Sequence, residues 1–454
     1  MPFDRRRFLK RTGGVATATV LAGCTSDEGG SGDQTTEGDS SDTESGGSDG
    51  SEEATTTQSD SGSSDAINLG VPLPFSGDYA WVGANVLPVV NMVVEEINEQ
   101  GGIDGRNVNV VQADTEASPD AAVSAVNRLV NVENVQGVVG PTSITMSAVV
   151  DTLVNNEVPV VTPTAGTTSL DDRGGEYVFR TVSSDSLGGS AIAVATNNQE
   201  FNSIQDYERM ALMVGNQEVF QSFKDPVRSS FEDLGGTVTT AMDVRTGKAS
   251  YQSEVQQMMN SDPEICVLIL SVEDSVKVTE AGYQAGYEGN WFLTQDQTNE
   301  DFLAQSESQV TNNMLGLQAA PYGAAEESGR LDDFFERVTE YAGWDEGEKQ
   351  FVTNTYDAMN VLGLAMKQVA ADGDDVTRSN VASAIPTVAT PPEESVTNYT
   401  DGAEAIENGS DVDYGGLVGP IDFDENGDIV APFSIRKVQD GSWTEAAYLP
   451  PEEL

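Results

Sequence analysis

Ile265-Cys266-Val267-Leu268-Ile269-Leu270 is a run of six apolar residues closed by Pro263-Glu264 on one side and Ser271 on the other. A run this short reads as a strand, and the lack of polar alternation means that both of its faces are covered, as in a parallel sheet. Working outward, strands are expected at 210–215, 237–244, 265–271 and 291–295, with amphipathic helices at 187–200, 220–234, 251–260 and 274–285. An earlier series has the same rhythm: strands 67–74, 108–114, 135–140, 158–163 and 177–182, with helices such as 119–132 and 144–156. Two βαβ series predict two α/β lobes with a cleft between them. The stretch after strand 314–320 makes no third lobe; helices at 331–341 and 351–371 are expected to return over the first.

Across 454 residues there are 75 Asp and Glu against 22 Lys and Arg, a net charge of −53, and no histidine. A surface this negative repels phosphate, so nucleic acid is excluded as a partner. The absence of histidine excludes Ser-His-Asp and Cys-His catalysis and His-ligated zinc. Because 38% of the residues are hydrophobic and fall in periodic runs, the acids are a surface property of a folded chain rather than a sign of disorder. Seven lysines against fifteen arginines beside so many acids resembles proteins of extreme halophiles, where molar salt screens self-repulsion.

Residues 1–23 read as an export signal. Arg5-Arg6-Arg7-Phe8-Leu9-Lys10 matches the twin-arginine pattern, and a weakly apolar run too short to span a bilayer follows it. Leu21-Ala22-Gly23-Cys24 resembles a lipobox, which predicts lipidation of Cys24 and a tether to the outer face of the cytoplasmic membrane. Residues 25–65 hold twelve acids, no base and a single alanine among polar residues, so 24–65 reads as a disordered linker, glycosylated or not. With Cys24 used, Cys266 has no disulfide partner and reads as an inert buried thiol. Asp422, Asp424, Asn426 and Gly427 imitate the first half of a calcium loop, but the twelfth position is Phe433, so no metal is expected. Asn426-Gly427 instead predicts a hairpin turn between two strand-like runs.

Ile67-Asn68-Leu69-Gly70 with Pro74-Phe75-Ser76-Gly77, then Gly101-Gly102-Ile103-Asp104-Gly105-Arg106, Gly140-Pro141, Phe179-Arg180-Thr181 and Gly419-Pro420-Ile421-Asp422-Phe423-Asp424 occur in order across nearly all of 66–441. This pattern resembles the branched-chain amino acid binding proteins of ABC transporters. The resemblance implies the type I periplasmic binding protein fold, two Rossmann-like lobes with parallel central sheets joined by a three-strand hinge. Its crossovers are expected at 182–185, 318–322 and 419–422, which gives lobe 1 as 66–183 plus 320–420 and lobe 2 as 184–319 plus 421–454.

Gly140-Pro141 bends the chain from strand to helix and leaves Thr142, Ser143 and Thr145 at a helix N-terminus, where N–H groups and the helix dipole suit an α-carboxylate. Plain N-capping is the alternative role for Ser143 and Thr145. Ala165, Gly166 and Thr167 lie at the next strand exit and are expected to add donors. The resemblance further implies that Asp296, in place of a glutamate, pairs with the ligand's ammonium, that Phe220 stands for a tyrosine, and that Tyr79 and Trp81 bracket an aromatic covering the ligand.

Two classes of function compete. One is a solute receptor of an ABC importer, a monomer without cofactor that captures a small amino acid, branched-chain or similar, and hands it to the permease and its ATPase. The other is an enzyme, against which stands the lack of a P-loop, of Gly-x-Ser-x-Gly and of Gly-x-Gly-x-x-Gly after a strand. Within the receptor class, the same lobes would also serve a chemotaxis receptor, or an amide, an aromatic acid or another small solute.

Overall fold

A computed structural model of the chain describes residues 66–454 apart from Asp78, 321–322, Glu346, Glu348 and 390–393. The expected export signal, Cys24 and the acidic tract lie outside the described residues. The first sheet contains β1 (Ile67–Leu73), β2 (Val108–Asp114), β3 (Gly137–Val139), β4 (Val160–Thr162) and β5 (Val178–Arg180), all parallel, in the order β2-β1-β3-β4-β5. Its order reverses at β1, so the strand ends on either side diverge and leave a crevice at their carboxyl edge.

The second sheet begins with β6 (Arg209–Gly215), β7 (Thr237–Val244), β8 (Ile265–Ile269), β9 (Asn290–Leu293) and β10 (Leu315–Ala319). After a small parallel pair, β11 (Glu394–Val396) and β12 (Val412–Tyr414), the chain adds β13 (Phe433–Gln439) and β14 (Ser442–Leu449) to that sheet. The order is β14-β13-β10-β9-β8-β6-β7. The five strands from β6 to β10 run parallel, whereas β13 is antiparallel to β10 and β14 to β13, so the expectation of a wholly parallel second sheet needs correction at this edge. Every residue of β8 is buried, as its unbroken apolar run requires, and the Cys266 thiol is free, with burial pushing its pKa up.

Each sheet is covered on both faces. Helix Ala80–Glu99 places Val86, Val89 and Val93 against the first sheet and against helix Val352–Ala371, which carries Tyr356, Met359 and Leu362 into the same core. Helices Arg330–Ala342 and Val352–Ala371 therefore return over the first lobe. Helix Asp185–Asn197 covers one face of the second sheet, and Gln252–Met259 with Val272–Ala285 cover the other.

The expected helix 220–234 is two helices, Glu218–Gln221 and Lys224–Asp233. Pro226 lacks an N–H and its ring crowds the carbonyl four residues back, which breaks the helix near Ser222. The Asn426-Gly427 turn forms, with Gly427 at φ 74°, but no strand ladder flanks it. The hairpin of this region lies at Asp440-Gly441, between β13 and β14, with φ 52° and 80°.

The third crossover also moves. Ile421, Ile429 and Ala431 belong to the core of the first lobe, and Phe433 to that of the second, so the chain changes lobes at 431–433 rather than at 419–422. What holds 422–428 on lobe 1 is Arg180, whose N–H donates to Gly427 O and whose guanidinium pairs with Asp428. The first lobe change falls between β5 and Asp185. The second follows β10, with 321–322 outside the described residues and Ala325 already in the lobe 1 core.

Candidate functional site

The carboxyl ends of the strands in the two sheets face a cavity of about 420 Å³ lined by both lobes. On lobe 1 the chain leaves β3 through Gly140, at φ 111°, and enters helix Ser143–Asn155. Thr162 Oγ1 donates to Pro141 O at 2.9 Å and Thr164 Oγ1 to the same oxygen at 3.4 Å, pinning the turn. The N-cap residue is Thr142, and its side chain does not cap the helix. Thr142 Oγ1 is buried without a protein partner at the cavity wall, beside Ser143, which is 9% exposed. The Thr145 N–H donates to Thr142 O at 3.1 Å; the amide N–H groups of Ser143 and Ile144 and these hydroxyls make a donor cluster for an anion, strengthened by the helix dipole.

Gly166, from the loop after β4, also lines the cavity. Its carbonyl accepts the Asp185 N–H at 2.7 Å, and a Cβ at this position would sit 2.9 Å from the backbone oxygen of Ser183, which crowds any larger residue here. Three other expected residues lie off the cavity wall, which corrects the expected site. Thr145 is on the inner face of its helix and donates to Thr142 O at 3.4 Å; Ala165 is packed in the core beneath that helix. Thr167 Oγ1 accepts the Ser169 N–H, and its carbonyl accepts Arg180 Nη1 at 3.1 Å.

On lobe 2, β9 runs into a 3-10 turn, Gln295–Gln297, capped reciprocally by Thr294 and Gln297, and this turn presents Asp296 to the cavity. Phe220 is 5% exposed and lies over Gly215, where a Cβ would approach its ring to 2.4 Å. Tyr79 and Trp81 line the lobe 1 rim from the start of helix Ala80–Glu99; Trp81 is parallel to Phe351 within 9°, with centroids 6.1 Å apart.

Sequence reasoning missed Asp185, Lys349, Gln350 and Phe351, which also line the cavity. Asp185 had a signal, an acid opening a helix straight after a crossover. The other three had none, because they arrive with a helix that returns from far along the chain. Gln350 Nε2 donates to Asp296 Oδ1 at 3.2 Å, joining the lobes, as do Ser147 Oγ donating to Glu218 and Ser186 Oγ donating to Asp171 at 2.6 Å.

The wall holds two acids. Burial pushes the Asp185 carboxyl up to about 7, aided by the charges of Asp296 and Asp171 and opposed by the Ser222 hydroxyl at 2.5 Å and by Arg180. Burial likewise holds Asp296 above the usual carboxylate range, opposed by the Gln350 hydrogen bond; the surface Asp296 retains opens on the cavity. Lys349 is the cation among the described lining residues. The cavity thus offers an anion site on one lobe, carboxylates on the other, and apolar rings between. Asp424, in the calcium-loop look-alike, spends Oδ1 on the N–H groups of Asn426 and Asp428.

Residues 66–442 match the family described as periplasmic binding protein, and the chain belongs to that family. The fold is the type I periplasmic binding protein fold. The chain is similar to the leucine binding protein LivK of Thermotoga maritima, with a TM-score of 0.67 at 20% identity, covering 86% of this chain and 100% of that one. It is 39% identical over 120 residues to the Leu/Ile/Val-binding protein BraC3 of Rhizobium johnstonii, a stretch that is 26% of this chain and 32% of that relative, so the match spans about a third of BraC3. Over 82% of its own length and 87% of the relative's, it is 24% identical to the chemotactic signal transduction system substrate-binding protein BasB of Halobacterium salinarum.

Proposed function

We propose that this protein is a non-enzymatic receptor that captures an α-amino acid between its lobes and delivers it to an ABC permease, held at the cell surface by lipid on Cys24 after twin-arginine export. The observation that carries this reading is the polarity of the cavity. Ser143, Thr142 and the helix amides offer donors on one wall, and Asp296 offers an acceptor on the other. A zwitterion satisfies both at once and bridges the lobes, which favours the closed state. The names of BraC3 and LivK support an amino acid as ligand, and the BasB match over most of both chains supports a second reading, delivery to a chemotaxis transducer instead of a permease.

Isothermal titration tests the capture. Asp296→Asn keeps the shape but removes the partner of a desolvated ammonium, and is expected to cost about 2 to 5 kcal/mol, roughly 30- to 5,000-fold in affinity. Ser143→Ala is expected to cost less, about 0.5 to 3 kcal/mol, because amide donors remain. Parent-like affinity in Asp296→Asn contradicts the proposal.

A further inference from the structure

We infer that the amino acid held in this cavity carries an aromatic side chain; this rests on the amino-acid reading above and adds the class of side chain. Seven of the thirty-five described lining residues are aromatic, a fifth of the wall, against 7% of the whole chain. Phe220 and Phe433, 5% and 4% exposed, belong to the second-lobe core, so the rings with surface to offer a ligand are Tyr79, Trp81, Phe223, Phe335 and Phe351.

The rings come from both lobes and several are fixed in place. Phe220 is pressed over Gly215, and Phe223 over Gly188, where a Cβ would meet its ring at 2.8 Å. Phe433 opens β13 from the same side. On lobe 1, Trp81 and Phe351 present parallel rings. Phe220 brings no hydroxyl, so this wall offers area and π faces rather than a polar handle. Such surfaces favour an aromatic guest, because ring pairs gain from offset or edge-on contact beyond the area they bury.

The test is isothermal titration of the intact protein in molar salt with leucine, isoleucine, valine, phenylalanine and tryptophan, and with 3-phenylpropanoate, which has the ring and carboxylate but no amino group. The expected result is about tenfold or tighter binding of phenylalanine or tryptophan than of any aliphatic. Trp81→Ala, at a rim position 38% exposed, should weaken the aromatic ligand about tenfold. Equal or tighter binding of the aliphatics overturns the inference and leaves the amino-acid reading standing. Binding of 3-phenylpropanoate as tight as that of phenylalanine overturns the amino-acid reading instead, and binding of none of the panel overturns both.

Discussion

Asp185 and Asp296 face one cavity, and both hold their protons above the ordinary carboxylate range because burial penalises the charged form. An ammonium arriving beside them favours ionisation and lowers both values. Ligand binding near pH 6.5 is therefore expected to release protons, and affinity to fall as the pH is lowered through 7, where protons compete with the ligand. Titration at that pH in two buffers of different ionisation enthalpy measures the exchange, and proton uptake or none contradicts the assignment. The ligand-free protein follows the same linkage. Asp185 binds a proton in the folded state up to about 7 but releases it near 4 when unfolded, so its contribution to stability falls as the pH rises through that window. Ser143 is legible in sequence because it follows a strand at its carboxyl end, and Asp296 only through the resemblance to the branched-chain amino acid binding proteins. Gln350 is not, since its partner Asp296 is 54 residues away and no local pattern links them.

Between elements, Arg180 at the end of β5 is the main tie. It is 1% exposed, donates to the carbonyls of Gly166 and Thr167, and pairs with Asp171 and Asp428. These contacts fix the loop that carries Gly166 and hold 422–428 against lobe 1. Arg180→Leu would leave Asp428, itself largely buried, without its counter-charge, and is expected to cost about 3 to 5 kcal/mol in a denaturant titration. A cost under about 1 kcal/mol would show that the tie is dispensable. The central strands are legible because both their faces are covered and their apolar runs say so. The third crossover is not legible, because the ion pair that delays it joins residues 248 apart. The antiparallel edge at β13 and β14 is hidden for a different reason. Phe433–Gln439 and Ser442–Leu449 mix polar and apolar residues, as an edge hairpin does, and give no sign of the sheet they join.

At the scale of the molecule, residues 66–454 carry 62 acids and 17 bases, and both lobes are acidic. Among the described residues the side-chain hydrogen bonds that join the lobes come from neutral donors, Ser147, Gln350 and Ser186, while the ion pairs lie within one lobe or the other. Salt therefore screens repulsion between the lobes without weakening an ion pair across the cleft. The Debye length shortens from about 10 Å at 0.1 M to about 3 Å at 1 M, so the thermal midpoint followed by circular dichroism is expected to rise with salt. An unchanged midpoint contradicts the halophilic reading of the composition. The two lobes and their cleft are legible from the repeated βαβ rhythm, whereas the neutral character of the contacts across the cleft depends on side-chain geometry.

Capture of a zwitterion between the lobes is tested most directly by mass spectrometry of the small molecule released when protein purified in high salt is denatured. A compound with both an amino group and a carboxylate is the predicted result. A compound lacking either group would contradict the account, because the donors around Ser143 or the carboxylate of Asp296 would then face no partner.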